Sequence, residues 1–203
     1  MIEALSELLA SAQPIFFLLA GPNGAGKSTF RRKYLDPAQL TCIDPDEVAR
    51  AKFGGDPKSK TDAIAATGEA TKIVRAQLKT RISFGLETVL SDRKGIKLGL
   101  LQEARSAGYS AGVIFIGVED PQLSIARVMD RVEAGGHDVP DELILDRFPR
   151  SFENLRKAIP LADFVLLVDN SGESRHRVFG RVTREHVVHL WDTVPGWYLR
   201  LGL

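Results

Sequence analysis

The 203-residue chain predicts an α/β fold, a parallel sheet of about five strands with helices on both faces. Three observations carry this. Short apolar runs alternate with longer stretches whose apolar residues recur at helical spacing. A glycine-rich loop joins the first run to the first helical stretch. No internal repeat, low-complexity tract or long linker interrupts the pattern. With 44% hydrophobic and 26% charged residues the composition is that of an ordinary globular protein, so residues 1–203 are expected to form a single domain.

Residues 1–13 read as a short helix that Pro14 ends, and "IFFLLA" (Ile15 to Ala20) as a strand buried on both faces. The loop Gly21 to Lys27 feeds a helix that Asp36-Pro37 should stop, because the residue before a proline is driven out of the helical region. Leu40 to Ile43 is a second short strand. Ile64, Ala65, Ala70, Ile73, Val74 and Leu78 place a helix between Ser59 and about Ile82, and "SFGLETVL" returns to strand character. A helix over Ile96 to Ala107, a strand over Ala111 to Val118 and a helix over Pro121 to Glu133 follow. After the turn "GGHDVP" come a helix ending at Ala158 and the strand "DFVLLVD". Residues 175–203 change character and read as a small hairpin extension, with Trp191 and Trp197 placed to cover an exposed end of the sheet.

Charge and composition exclude several classes. Lys and Arg total 27 against 26 Asp and Glu, and a net charge of +1 gives no footprint for nucleic acid or an anionic membrane. The longest apolar run, Ile15 to Ala20, is far shorter than the ~20 residues of a membrane span. The N-terminus lacks the basic start and apolar core of a signal peptide, so a cytoplasmic location is expected. Cys42 is alone, which removes disulfides and cysteine metal sites, and His137, His176, His186 and His189 make no convincing metal site.

Gly21, Gly26, Lys27 and Ser28 satisfy G-x-x-x-x-G-K-[ST] between a strand and a helix, the context that makes this motif a phosphate-binding loop and the fold that of a P-loop NTPase. Across Gly21, Asn23, Gly24, Ala25, Gly26, Lys27, Ser28 and Thr29, the glycines let backbone N–H groups converge on the phosphates of ATP. Lys27 should reach the outer phosphates and the Ser28 hydroxyl should take a place on Mg²⁺. A transporter motor is disfavoured by the lack of an LSGGQ-like signature. The acidic pair Glu119-Asp120 reads better as a helix start, with Asp120 as N-cap and Pro121 at the first helical position.

In "CIDPDEVAR", Asp44 as N-cap, Pro45 at the first position and Glu47 closing a capping box leave Asp46 without a structural duty beyond the helix dipole. A kinase acting on a hydroxyl needs a carboxylate to accept the proton of the attacking oxygen, and Asp46 is the candidate. Glu87, at the end of a buried strand, needs a compensating partner: a substrate hydroxyl or amide, the metal's water shell, or a backbone N–H. Arg127 and Arg131 share one helix face, and Arg147 and Arg150 a face of the next. With the Gly135-Gly136 step between them, residues 121–158 could form a kinase-like helical lid that brings guanidinium groups onto phosphate, unless Asp130, Asp146 and Glu153 engage them.

From the first strand to Asn170, through "AGPNGAGKST", "DPDEVAR", "LETVLS", "RVEAGGHDVP" and "RFPRSFENL", the chain resembles the zeta-toxin family of P-loop kinases, in its shorter stand-alone branch. The resemblance implies transfer of the γ-phosphoryl group of ATP to a hydroxyl of UDP-N-acetylglucosamine or another nucleotide-sugar. It also implies Asp46 as base, Lys27 and Arg131 on phosphate, Glu87 on substrate, and an antitoxin protein as partner. Two positions depart from the family. Its threonine two residues after the glutamate is Val89 here, and its second lid arginine falls against His137, so that Arg147 or Arg150 must supply that charge. A different class stays open beside it: an ATP-binding or hydrolysing switch module acting through a protein partner.

Overall fold

The computed structural model describes residues 12–54, 60–136, 138–172, 176–183, 187–189 and 193–202. The helix expected over residues 1–13 lies almost wholly outside them, as do Trp191, His137 and His186. One seven-stranded sheet runs in the order β2-β3-β1-β4-β5-β6-β7. Its strands are β1 (Ile15–Ala20), β2 (Thr41–Ile43), β3 (Phe84–Thr88), β4 (Ser110–Gly117), β5 (Phe164–Asp169), β6 (Arg177–Thr183) and β7 (Val187–His189). The first five are mutually parallel, as the alternation predicts, and the hairpin β6–β7 adds antiparallel to β5 and extends the same sheet.

Two layers of core explain why β1 is apolar without interruption. Phe16, Leu18 and Ala20 face one layer, with Phe84, Leu86, Val113 and Phe115, while Ile15, Phe17 and Leu19 face the other, with Phe30, Leu35, Ile114 and Ile116. A strand covered on both sides has no polar face to alternate with. Cys42, expected in a buried strand, is half-buried because β2 is the sheet's edge.

The helices are α1 (Lys27–Phe30, continued by a π-turn over Arg31–Leu35), α2 (Pro45–Phe53), α3 (Lys60–Gln77), α4 (Ile96–Ser106), α5 (Pro121–Glu133), α6 (Asp141–Ala158) and α7 (Gly196–Leu199). No described helix is long and apolar enough to cross a membrane. Because β1 sits between β3 and β4, the chain leaves it toward β2 on one side and returns past it on the other. This is the reversal at whose carboxyl edge open α/β sheets bind ligands.

The acidic pair after β4 is structural. The Asp120 carboxylate accepts from Leu123 N–H at 3.0 Å as N-cap of α5. Glu119 accepts from Trp197 N–H at 3.2 Å and from Arg200 Nη1 at 2.7 Å, tying down the tail. Trp197 is buried, its ring 5.3–5.7 Å from those of Phe115, Phe152 and Phe179, and its Nε1 donates to Asp169 Oδ1 at 3.0 Å. A large aromatic here covers the sheet end, and its one polar atom has a partner.

Candidate active site

The glycines of the phosphate loop pack directly against their neighbours. Gly21, Gly24 and Gly26 have φ of 144°, 69° and 89°. A Cβ on Gly24 would lie 2.5 Å from Ser124 O, and one on Gly26 would lie 2.6 Å from Asn170 Nδ2. Glycine is required by the left-handed backbone and by the close approach. Asn23, Gly24, Gly26, Lys27, Ser28 and Thr29 face an open cleft of about 1650 Å³. Gly21 and Ala25 lie behind them, buried in the loop's base.

Lys27 is 8% exposed and folded back, donating to Gly21 O and Pro22 O at 2.9 Å each. Burial lowers its pKa and the nearby Glu87 carboxylate works in the opposite sense. Ser28 Oγ donates to Glu87 Oε1 at 3.1 Å, while Glu87 Oε2 is buried with no hydrogen-bond partner. Burial pushes the Glu87 carboxyl above the usual carboxylate range, with Lys27 opposing. A serine hydroxyl and a carboxylate at the mouth of a phosphate loop are the oxygen donors a hard cation such as Mg²⁺ takes. Among the described residues no cluster of three or more His, Cys, Asp or Glu could hold a metal, so such an ion would draw further ligands from phosphate and water.

Asp46 lies in the first turn of α2. Its own N–H is taken by Asp44 Oδ1 at 2.9 Å, the N-cap predicted, and its exposed carboxylate lines the cleft. Lys27 and Arg147 both feel its charge. Glu47 does not close the expected capping box. It pairs instead with Arg31 Nη2 at 2.5 Å, and Arg31 Nη1 lies 3.6 Å from Asp44 Oδ2, so an arginine one turn beyond the phosphate loop fixes the α2 start. Burial works against the Arg31 charge, and only the Glu47 hydrogen bond together with the charges of Glu47, Glu87 and Asp44 outweighs it and raises its pKa.

Helices α5 and α6 stand across the cleft where the lid is expected. Arg127, Arg131, Arg147 and Arg150 all line it. Arg131 is exposed in the last turn of α5, close enough to Lys27 to depress its pKa. The two α6 arginines differ. Arg150 is clamped, with Nη1 and Nη2 on the two Asp146 oxygens at 2.6 Å each and Nε on Ser91 O at 3.0 Å. Arg147 is half-buried, and burial together with Arg150 lowers its pKa. Val89 lines the cleft through an apolar side chain, its carbonyl accepting from Ser151 Oγ at 2.7 Å.

One part of the site escaped the sequence. After β5, Asn170 Nδ2 donates to Ala25 O at 2.9 Å, His176 N–H donates to Asn170 Oδ1 at 3.2 Å, and His176 Nε2 lies 3.1 Å from Gly26 O. A carbonyl partner requires Nε2 to carry the proton. His176 is 5% exposed, packed edge-on against Phe30 and Tyr34, and braces the phosphate loop from a position 150 residues away in the chain. The available signal was the polar Asp169-Asn170 pair ending a buried strand.

Residues 3–176 match the family model described as Zeta toxin. A Haemophilus influenzae protein of uncharacterised function is 29% identical over 128 residues, covering 63% of this chain and 88% of that protein. The crystal structure of the AvrRxo1-ORF1:-ORF2 complex with ATP aligns over 93% of this chain with a TM-score of 0.67 and 18% identity; this chain spans 64% of that one. The structure from the PezAT chromosomal toxin–antitoxin system of Streptococcus pneumoniae aligns over 98% of this chain and 90% of that chain, with a TM-score of 0.62 and 19% identity. At such identities the structural matches speak for the fold.

Proposed function

Since this chain belongs to the zeta-toxin family, we propose that it is an ATP-dependent kinase transferring the γ-phosphoryl group to a hydroxyl of a small molecule, with a nucleotide-sugar such as UDP-N-acetylglucosamine as the acceptor class. One observation carries the reading. The phosphate loop and Asp46 line one cleft of about 1650 Å³, against roughly 300–1,000 Å³ for a usual small-molecule pocket. That volume suits a nucleotide and a sizeable acceptor together.

In this scheme Lys27 leaves the Gly21 and Pro22 carbonyls to bind the outer phosphates, and the loop's N–H groups bind the rest. Asp46 accepts the proton of the acceptor hydroxyl as its oxygen bonds to the γ-phosphorus, while the bond from that phosphorus to the β-phosphate oxygen breaks and ADP leaves. Arg131 and Arg147 reach across from the lid and neutralise charge on the transferring group. Ser28 and Glu87 would hold Mg²⁺, which when bound supplies further charge neutralisation on the phosphates. Glu87 serves the acceptor through the same carboxylate. The protein would act in the cytoplasm, and a partner antitoxin would inhibit it by covering the nucleotide site.

The test is a screen. Incubate the protein with Mg-ATP and UDP-sugars, nucleotides and neutral sugars, and look by mass spectrometry for an acceptor that gains one phosphoryl group. ATP turnover with no phosphorylated acceptor, stimulated only by another protein, would sink the kinase reading in favour of a nucleotide switch.

A further inference from the structure

The cleft holds a second buried ammonium. Lys97, in the first turn of α4, is 4% exposed, yet it is among the residues that line the cleft. An ammonium carries three donors. The one hydrogen bond that Lys97 makes among the described residues is to Thr71 Oγ1, and at 3.4 Å it is a long one. The Thr71 hydroxyl gives its own proton to Thr67 O at 2.9 Å, so it faces Lys97 as an acceptor. No described carboxylate comes within ion-pair distance of Lys97. Asp92 attracts it from farther off; its Oδ2 accepts from Ile96 N–H, the opening amide of α4, at 2.6 Å, and its Oδ1 is buried without a hydrogen-bond partner. Buried charges are ordinarily paired and fully hydrogen-bonded, and this one is neither.

Its surroundings favour an anion. Lys94 lines the same cleft and Arg75 adds positive charge that acts on Lys97, although the opening amide of the 11-residue helix α4 is already taken by the Asp92 carboxylate. The phosphate loop already has Lys27 for ATP, so a second buried lysine is redundant for the nucleotide. Resting on the kinase reading above, we propose that Lys97 binds a phosphate-type oxyanion carried by the acceptor. The acceptor is then itself an anion, either a sugar phosphate or a nucleoside-diphosphate sugar, anchored at Lys97 with its hydroxyl toward Asp46. Lys97 is then a specificity-determining residue, since an anion in the cleft would give its ammonium the partners it lacks.

The site can be titrated without turnover. With the phosphate loop saturated by magnesium and a non-hydrolysable ATP analogue, calorimetric titration with inorganic pyrophosphate should show binding. Lys97→Met and Lys97→Gln should weaken it at least tenfold, and Lys97→Arg should restore part of it, while all three keep the affinity for the ATP analogue and the wild-type melting temperature. Wild-type protein that binds no pyrophosphate once the nucleotide site is filled, or uncharged variants that bind it unchanged, would overturn the proposal. In the transfer assay the arms are UDP-N-acetylglucosamine, N-acetylglucosamine 1-phosphate and neutral N-acetylglucosamine. Lys97→Met should raise KM for whichever charged acceptor is used and leave KM for ATP alone. A neutral sugar used as well as the charged ones also overturns the proposal. If no acceptor is phosphorylated the kinase reading fails, and the pyrophosphate titration still decides Lys97.

Discussion

Replacing Asp46 by asparagine separates chemistry from binding. The Asp46 side chain is exposed, and the helix contact that matters locally, Asp46 N–H to Asp44 Oδ1 at 2.9 Å, belongs to the backbone and survives the change. The stability loss is therefore confined to the helix-dipole contribution of one first-turn carboxylate, about 0.3–1 kcal/mol. Lys27, Ser28 and the loop glycines are untouched, so ATP affinity should stay within about threefold. A missing general base costs about 10²–10⁴ in rate, which at 1.36 kcal/mol per decade is roughly 2.7–5.4 kcal/mol of transition-state stabilisation. The kinetic loss is thus several times any structural one. The assay is steady-state transfer to the identified acceptor, read beside calorimetric ATP binding and a thermal melt. Asp46→Asn protein with full kcat would refute the base assignment; a collapse of ATP affinity would show that Asp46 acts on the nucleotide instead.

Three further outcomes are expected. Gly26→Ala forces a Cβ to 2.6 Å from Asn170 Nδ2 at φ 89°; a left-handed alanine costs ~1–2 kcal/mol and a broken hydrogen bond ~0.5–1.5, so the melting temperature should fall by roughly 3–14 °C together with ATP affinity. Arg147→Ala should lower kcat by about 10- to 10³-fold, whereas Arg150→Ala, whose guanidinium is spent on Asp146 and Ser91, should leave kcat nearly unchanged and soften the α6 contact in a melt; equal kinetic losses would count against assigning the lid charge to Arg147. Burial raises the Glu87 carboxyl above its ordinary 4.5, so between that value and its raised one the folded state keeps a proton the unfolded state has lost, and stability falls as pH rises through the window. Glu87→Gln should flatten that dependence and melt higher than wild type at neutral pH while losing transfer activity.

What could be foreseen divides by range. The phosphate loop, the Asp44 and Asp120 caps and the i, i+4 pairing of Asp146 with Arg150 are contacts within a few residues, where residue type and spacing nearly determine geometry. The fold class followed from alternation because a parallel sheet covered on both faces needs continuous apolar strands. Glu47 went to Arg31 rather than to its own helix because α1 ends in a π-turn that no local pattern announced. Lys97 looks in the sequence like any solvated lysine near a helix start. Only the packing of α3 and α4 against the sheet removes it from water. His176 bonds to a loop 150 residues earlier, and the polar pair Asp169-Asn170 ending a buried strand does not say which distant loop it meets.

The resting site shows where stability has been given up for function. Lys27 is buried yet satisfied, since two carbonyls hold it until, on the proposed reading, the ionised oxygens of phosphate replace them. Glu87 is not so treated: one oxygen meets Ser28, the other is buried without a partner, and its charge is paid for only in part by Lys27. An isosteric amide would relieve that burden, so a carboxylate at this position is explained by an event that supplies what the resting protein lacks. On the proposed reading the arrival of nucleotide would draw Lys27 onto phosphate and bring cation and water to the orphan oxygen. On that argument wild-type protein should gain more melting temperature from Mg-ATP than from ATP with a chelator, and Glu87→Gln should lose most of the difference. An equal gain in both proteins would mean that Glu87 serves the acceptor alone.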